Sequence, residues 1–320
     1  MKRRLAVSSL IGMASGLLCW LIHVGRQASS NDFNWALHSA QALLLHEDPY
    51  AVHLPPHGMP YPLPATFFAL PLLWAGSRLA GALFWGASSA LLAFGLTREG
   101  YTRLLIFLAF PYWAAMLCVQ WSPLVMAGAF LPWMVPAALA KPQIGIPIML
   151  AQPNWRGFVA CAAVAAASLL VLPSWPMKWL GQLGGFESYV PLLVLPLGLT
   201  LLLALWNRDD PDSHLFLLSA LMPQHWFYDA FILWLIPKTR REILATCLLS
   251  WGAALWRGFH TPHSWAEFGL AAVGWIYLPM LAVILVRRSP NRSSDPAVAV
   301  DRTLNHSDLA HISTAFTLEL

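Results

Sequence analysis

Residues 1–26, MKRRLAVSSLIGMASGLLCWLIHVGR, decide the fold class, because the basic cluster Lys2-Arg3-Arg4 is followed by an apolar stretch from Leu5 to Val24. A helix that spans a bilayer needs roughly 17–25 such residues. Many similar stretches follow, and no clear small-residue cleavage site is present, so we expect a retained first helix and not a signal peptide. The basic cluster predicts a cytoplasmic N-terminus, since Lys and Arg collect on the cytoplasmic side.

The same pattern of apolar stretches between short charged clusters continues through the chain. Of its 320 residues, 58% are hydrophobic and 11% are charged, whereas charged residues make up about 25% of a soluble domain. Apolar runs lie at 62–77, 79–96, 104–119, 122–133, 134–151, 157–173, 190–206, 214–236, 243–256 and 265–286. We therefore predict an all-α, polytopic integral membrane protein with about ten to twelve membrane segments. The same composition and apolar runs exclude a soluble Rossmann-type enzyme and a coiled coil. Nucleic-acid binding is not indicated, because Lys and Arg are interpreted as orientation signals at the cytoplasmic face.

Proline and tryptophan refine this topology. The chain has 25 Pro and 17 Trp; Pro inside apolar runs predicts broken helices, and Trp near their ends predicts membrane boundaries. Counting back from Arg287-Arg288 places residues 140–143 outside if residues 222–226 are an outer turn that splits run 214–236. Counting forward from the N-terminus disagrees by one crossing within 62–119, so one segment there is expected to be re-entrant or to span only half of the membrane. Residues 1–288 are predicted to form one transmembrane domain, and the polar residues 289–320 a disordered cytoplasmic tail.

The first outer loop, residues 25–61, is the most informative stretch. Within it, Phe33–His46 has apolar residues at 33, 36, 37, 40 and 44, a period near 3.6 that predicts an amphipathic helix. This helix is too polar to span the bilayer, so we expect it to lie in the outer interface. Residues 174–189 are predicted to form a second interfacial loop.

Several polar residues have both a structural and a functional interpretation. Asp32 opens the amphipathic helix and is either an N-cap or a proton acceptor. Lys141 lies at a proline-broken turn and either snorkels to the interface or has a functional role at membrane depth. His225 and Asp229 have the spacing of one helix face, which fits a phosphate-binding His with its orienting carboxylate, or a structural pair.

An ordered set of motifs resembles the polyprenol-phosphate-sugar glycosyltransferases of family 87, which have the GT-C architecture and include bacterial phosphatidylinositol-mannoside mannosyltransferases. The motifs are Asp32-Phe33-Asn34-Trp35, His46-Glu47-Asp48-Pro49-Tyr50, Tyr61-Pro62-Leu63-Pro64, Cys118-Val119-Gln120-Trp121, Ala140-Lys141-Pro142-Gln143 and Pro223-Gln224-His225-Trp226-Phe227-Tyr228. They cover roughly residues 25–240. The chain departs from the family pattern at His46 and Val119, where the family has Gly, and at Leu63, where it has Pro.

The resemblance implies a membrane glycosyltransferase on the outer face of a bacterial inner membrane. It would move a sugar, with mannose favoured, from a polyprenyl-phosphate donor to a lipid or glycan acceptor, with inversion and Asp32 as general base. The residues expected to bind the donor phosphate are Lys141, His225, Gln120 and Arg26, and those expected to bind substrate are Tyr61, His57, Tyr50 and Asp229. No cofactor is implied; the expected partners are the donor, the acceptor and membrane lipids.

Two other motifs are weaker. Asp210-Pro211-Asp212 imitates the Asp-x-Asp of nucleotide-sugar transferases but lies in a short loop without a βαβ pattern. His260, His263 and Glu267 have metal-ligand types, yet Pro262 breaks the helix that a His-x-x-x-His site needs. The four cysteines lie in apolar runs without CxxC spacing, so no metal site or disulfide is predicted.

Two alternatives to the transferase remain open. One is a permease or flippase in which Asp32 is a cap and Lys141 a counter-ion. Transporters usually place ionisable residues near the midplane, between matching halves, whereas this chain gathers them at one face and has no internal repeat. The other is an inactive family member, which the departures at His46, Leu63 and Val119 keep open.

Overall fold

A computed structural model describes residues 1–28, 32–51, 61–185 and 187–287. Over these residues the chain is helical and contains no β-strand. The α-helices are α1 (Lys2–Gly25), α2 (Asp32–Leu44), α3 (Pro64–Ala69), α4 (Ser77–Leu96), α5 (Phe110–Cys118), α6 (Ser122–Ala127), α7 (Pro142–Ala151), α8 (Trp155–Val171), α9 (Trp175–Gln182), α10 (Pro211–Leu221), α11 (Arg240–Phe259), α12 (Trp265–Ala272) and α13 (Leu278–Arg287). The predicted all-helical class is confirmed. The described residues up to Ile284 form one compact unit; the predicted tail, residues 289–320, lies outside the described residues.

Proline explains why so many apolar runs are divided. Helices α3, α5, α6, α7, α9 and α10 all have Pro at one of their first two positions, where its missing N–H and fixed φ are tolerated. The 3-10 helices are Leu70–Leu72, Tyr101–Leu108, Pro132–Leu139, Leu183–Gly185, Pro191–Leu193, Leu197–Asn207 and Phe227–Leu235. A π-helical segment, Val273–Tyr277, joins α12 to α13.

Three helices of the described chain are long and apolar enough to cross a membrane: Lys2–Gly25, Ser77–Leu96 and the continuous Trp265–Arg287. The number rises to five if each of two bent pairs is one span. One pair joins Tyr101–Leu108 to α5 at 64°, and the other joins α8 to α9 at 94°. The 64° bend falls within 62–119, where the predicted topology needs a segment that does not cross. The chain thus has the features of a multi-pass membrane protein, with fewer long helices than the ten to twelve segments predicted.

The amphipathic helix predicted after the first span is confirmed as α2. Its buried residues include Phe33, Ala36, Leu37 and Ala40, the same positions that the helical period assigns to the apolar face. Leu44 is an exception and is exposed. The predicted division of run 214–236 is also observed, because α10 ends at Leu221 and the next helix begins at Phe227.

Small residues allow α1 and α4 to approach closely. A Cβ atom built on Gly12 would lie 2.7 Å from the carbonyl oxygen of Gly86, and one on Gly86 would lie 3.2 Å from Cα of Gly16. Both distances are shorter than normal van der Waals contact, so only glycine fits. Such small-residue contacts bring transmembrane helix backbones together.

Every residue of the 3-10 helix Phe227–Leu235 is buried. Arg103, itself buried, donates to the carbonyl oxygens of Trp234, Leu235 and Pro237 at its C-terminal end. A helix end leaves carbonyl groups without intrahelical partners, and a buried guanidinium satisfies several of them together. Arg103 thereby stabilises the element whose other end carries the candidate site.

Candidate functional site

A cavity of about 620 Å³ lies where several distant segments meet. Its walls come from the start of α2, the residues before α3, the start of α7, the segments 179–183 and 187–188, the turn 222–228 and the start of α12. The lining residues are Asp32, Trp35, Tyr61, Pro62, Ala140, Lys141, Pro142, Gln143, Ile146, Trp179, Leu183, Glu187, Ser188, Met222, Pro223, His225, Tyr228 and Trp265. Asp32, Lys141, His225 and Tyr61, four residues singled out from the sequence, therefore share one cavity.

Asp32 is the first residue of α2, and its Oδ2 atom is bonded to side chains from other parts of the chain. Gln120 donates to it through Nε2, and the Tyr61 hydroxyl donates at 3.4 Å. Within the described residues, no backbone N–H of α2 bonds to the carboxylate. The N-cap interpretation of Asp32 is therefore not what the structure shows.

The pKa of Asp32, which lies outside the candidate membrane spans, is raised above the ordinary value of an aspartate. Burial is the largest cause, because a carboxylate loses hydration when it is desolvated. The charges of Lys141 and His225 and the bond from Gln120 act in the opposite direction. A carboxylate with a raised pKa is a stronger base once it is ionised.

Lys141 precedes α7 and points inward. Its Nζ atom donates to Oε1 of Gln120 at 2.6 Å and forms an ion pair with Oδ1 of Asp229 at 2.5 Å. It also lies 4.6 Å from the ring centre of Tyr228, within the range of a cation–π interaction. The residue is only 3% exposed, so it does not snorkel to the interface. A buried ammonium is held by partners of this kind because an unpaired one is very costly.

His225 and Asp229 are paired, but not as an imidazole and its carboxylate. Oδ2 of Asp229 accepts from the backbone N–H of His225 at 2.9 Å, which corrects the orienting role considered for Asp229. The partner of the ring is the carbonyl oxygen of Glu187, 2.8 Å from Nδ1. Because a carbonyl only accepts, Nδ1 carries the proton. Asp229 is structural in this pair and neutralises Lys141.

Gln120 is buried behind the cavity and does not line it. It follows Val119, which ends α5 in the left-handed conformation with φ 50° and ψ 59°. This turn lets the backbone N–H of Gln120 bond to the Ala115 carbonyl at 2.9 Å. The side chain then lies between Asp32 and Lys141, so Gln120 contacts the other site residues and not the space a phosphate would occupy.

The remaining predicted residues have different positions. Tyr50 is buried behind Tyr61 and donates to its carbonyl oxygen at 3.3 Å. Arg26 follows the end of α1, is exposed and does not line the cavity. His57 lies outside the described residues. Arg26 and Tyr50, like Gln120 and Asp229, therefore do not line the cavity.

Sequence reasoning missed the wall formed by Glu187, Ser188 and Trp265. Trp265 donates through Nε1 to the Glu187 carboxylate, and its ring lies 4.7 Å from that of His225. Trp265 starts α12, and the sequence marked it only as a boundary tryptophan. The available signal was weak: the polar residues 187–188 fall in the predicted second interfacial loop.

Much of the predicted second interfacial loop, residues 174–189, is helical, and its side chains form polar contacts with residues of the first predicted loop, 25–61. In α9, Lys178 forms an ion pair with Asp48 at 2.5 Å, and Gln182 donates to the Tyr50 carbonyl at 2.8 Å. Further along the chain, Leu183, Glu187 and Ser188 line the cavity. The two predicted loops are therefore in contact beside the cavity.

The two weaker motifs have local structural roles. Asp210 caps α10 by accepting from the backbone N–H of Asp212 at 3.3 Å, and Asp212 pairs with Lys238 at 3.4 Å. Glu267 accepts from the backbone N–H of His263 at 2.8 Å. In the part of the chain that the structure describes, no three His, Cys, Asp or Glu side chains are grouped for a metal ion.

The cavity combines a carboxylate, an ammonium and an imidazole with several aromatic side chains. Chemically, this set can accept a proton from a hydroxyl and stabilise an anion nearby. Comparisons with protein-family models, with curated proteins and with solved structures found no match. The function must therefore be inferred from the residues and the geometry of the cavity itself.

Proposed function

We propose that this protein is a membrane glycosyltransferase of GT-C architecture that transfers a hexose, with mannose favoured, from a polyprenyl phosphate to a lipid or glycan acceptor. The reaction takes place on the outer face of a bacterial inner membrane, with the N-terminus in the cytoplasm. The observation that carries the proposal is the single cavity lined by Asp32, Lys141 and His225. Its volume, about 620 Å³, lies in the usual range of small-molecule sites, roughly 300–1,000 Å³.

Asp32 is the proposed general base. The acceptor hydroxyl oxygen attacks the anomeric carbon, the bond from that carbon to the phosphate oxygen breaks with its electron pair, and the hydroxyl proton moves to Asp32. Attack from the side opposite the phosphate inverts the anomeric configuration. Oδ2 is anchored by Gln120 and Tyr61, which leaves Oδ1 for the hydroxyl.

Lys141 and His225 are the proposed partners of the departing phosphate. The ammonium has three N–H groups, and Gln120 and Asp229 each accept one of them. Fixed donors placed where negative charge develops lower the barrier without reorganising. His225 is proposed to donate to the phosphate through Nε2–H when its ring is protonated, because its Nδ1 atom already donates to the Glu187 carbonyl oxygen.

The surroundings of the cavity suit substrates with lipid chains. Trp35, Trp179 and Trp265 line it, and tryptophan favours the membrane interface. Ile146 on α7 is a lining residue that is 38% exposed, so the cavity wall continues onto the apolar outer surface of the protein. A lipid-linked donor can reach such a site from within the bilayer.

The test is transfer by the purified protein in detergent or nanodiscs. The donors are radiolabelled polyprenyl-phosphate mannose and polyprenyl-phosphate glucose, and the acceptors are a bacterial lipid extract. We expect labelled lipid product with wild type and a loss of about 10²–10⁴-fold in Asp32→Asn, the usual contribution of a general base. Asp209→Asn, at an exposed turn, is the matched control and should keep full activity.

The same experiment addresses the alternatives. Transfer that survives in Asp32→Asn would contradict the general-base role. Movement of the intact donor across a vesicle membrane without sugar transfer, unchanged in Asp32→Asn, would instead support a flippase. Neither transfer nor movement, with wild-type protein that is folded, would identify an inactive family member.

A further inference from the structure

Gln120 lies between Asp32, the proposed base, and Lys141, a proposed partner of the departing phosphate. Its Nε2 donates to Oδ2 of Asp32, and its Oε1 accepts from Nζ of Lys141 at 2.6 Å. An ammonium has only donors and an ionised carboxylate only acceptors. These two neighbours therefore allow one orientation of the Gln120 amide.

Several features hold this amide in place. Gln120 is fully buried, its backbone N–H is bonded to Ala115, and the preceding residue, Val119, has φ 50°. A β-branched residue in the left-handed region is an uncommon and strained conformation. Strain of this kind persists where the surrounding structure requires it, often at functional sites.

We propose that Gln120 is a positioning residue: its Nε2–H holds Oδ2 of Asp32 and thereby directs Oδ1 to the acceptor hydroxyl, while Lys141 fixes the Gln120 amide. Oδ1 has no hydrogen-bond partner within the described ranges, and Asp32 lines the cavity. This replaces direct phosphate binding as the role of Gln120. The inference deepens the proposed function and rests on Asp32 as the base.

The bond from Gln120 favours the ionised form of Asp32, so its loss should make the carboxyl group easier to protonate. Other groups also act on Asp32 from the neighbouring elements. These are Lys141, His225, Asp229, Tyr61, Cys118 and Tyr228. The test must therefore change Gln120 alone and leave these groups intact.

The test is labelling by dicyclohexylcarbodiimide, which reacts with protonated carboxyl groups, at a series of pH values. Mass spectrometry of the peptide that contains Asp32 gives the midpoint of protection. In Gln120→Met we expect this midpoint to rise by about one to two pH units, the equivalent of a lost hydrogen bond to a charged group. Gln41→Met, an exposed change on α2, the helix that Asp32 begins, should leave the midpoint unchanged.

A second variant covers the case in which Gln120→Met does not fold, as judged by gel filtration and thermal unfolding. Gln120→Glu keeps the length of the side chain and places a like charge beside Asp32, which should raise the midpoint further. An unchanged midpoint in either folded variant overturns the proposal. Labelling does not need transfer, so an inactive wild type would contradict the proposed function separately from this inference.

Discussion

Val119 combines a buried side chain with a backbone conformation that β-branched residues rarely adopt. Replacement by glycine removes favourable burial but also relieves strain of about 1–3 kcal/mol. Val125, buried in α6, has no such strain to release. We therefore predict that the loss in free energy of unfolding is about 2 kcal/mol smaller for Val119→Gly than for Val125→Gly. Thermal unfolding of both variants in one detergent measures the difference, and equal losses would contradict strain at Val119.

The raised pKa of Asp32 predicts how transfer depends on pH. A general base must be ionised, so the rate should be full above the pKa of Asp32 and fall as the pH drops through it. Because burial raises this pKa, the fall should be centred above about 3.9, the ordinary value for aspartate. Initial rates from pH 4 to 9 check this, and a rate that stays constant down to pH 4 would be inconsistent with Asp32 as the titrating base.

Helices α1 and α4 depend on glycine at their contact. A Cβ on Gly86 would lie 2.8 Å from the Gly12 carbonyl oxygen, whereas one on Gly274 would meet nothing within 4 Å. Overpacking costs about 1–3 kcal/mol, and alanine in an open helical position gains up to about 1 kcal/mol. We therefore expect Gly86→Ala to lower the melting temperature and Gly274→Ala to keep or raise it. Similar melting temperatures for the two variants would contradict close packing at Gly86.

The predicted helices and the observed ones agree best where the pattern is local. The period of α2 identified its buried face, and the count of membrane crossings from Arg287-Arg288 required the turn at Met222–Trp226, where α10 ends at Leu221. The number of membrane spans was harder to predict, because proline divides apolar runs that are continuous by hydropathy alone. The close approach of Gly12 and Gly86 depends on the partner helix, which no single run reveals.

The candidate site was also predictable only in part, because several of its contacts join residues from distant parts of the chain. Asp32, Lys141 and His225 are brought to one cavity, although their roles stay predictions. The pairing of Asp229 with Lys141, and of Trp265 with Glu187, joins residues far apart in the chain. Spacing within one helix directed attention to the imidazole of His225 as the partner of Asp229, whereas the contact that the structure shows comes from the backbone N–H of His225.

Two ion pairs of equal length lie near the cavity but differ in their access to water. The side chains of Lys178 and Asp48, which join α9 to the first predicted loop, are 36% and 33% exposed, whereas those of Lys141 and Asp229 are 4% and 0% exposed. Mobile ions screen exposed charges, with a Debye length of about 8 Å at physiological ionic strength, and reach buried ones much less. We predict that increasing the salt from about 0.05 to 1 M, over which screening grows several-fold, loosens α9 while the Lys141 pair persists.

Hydrogen–deuterium exchange at both salt concentrations can measure this. Faster exchange in α9, with unchanged exchange at the start of α7, is the expected result; equal changes in both would contradict it. At low salt, Lys178→Met should increase exchange in α9 as high salt does in the wild type, because the variant lacks the exposed ion pair. The attachment of α9 would then depend on the salt around the exposed pair, while the buried charges of Lys141 and Asp229 keep their arrangement.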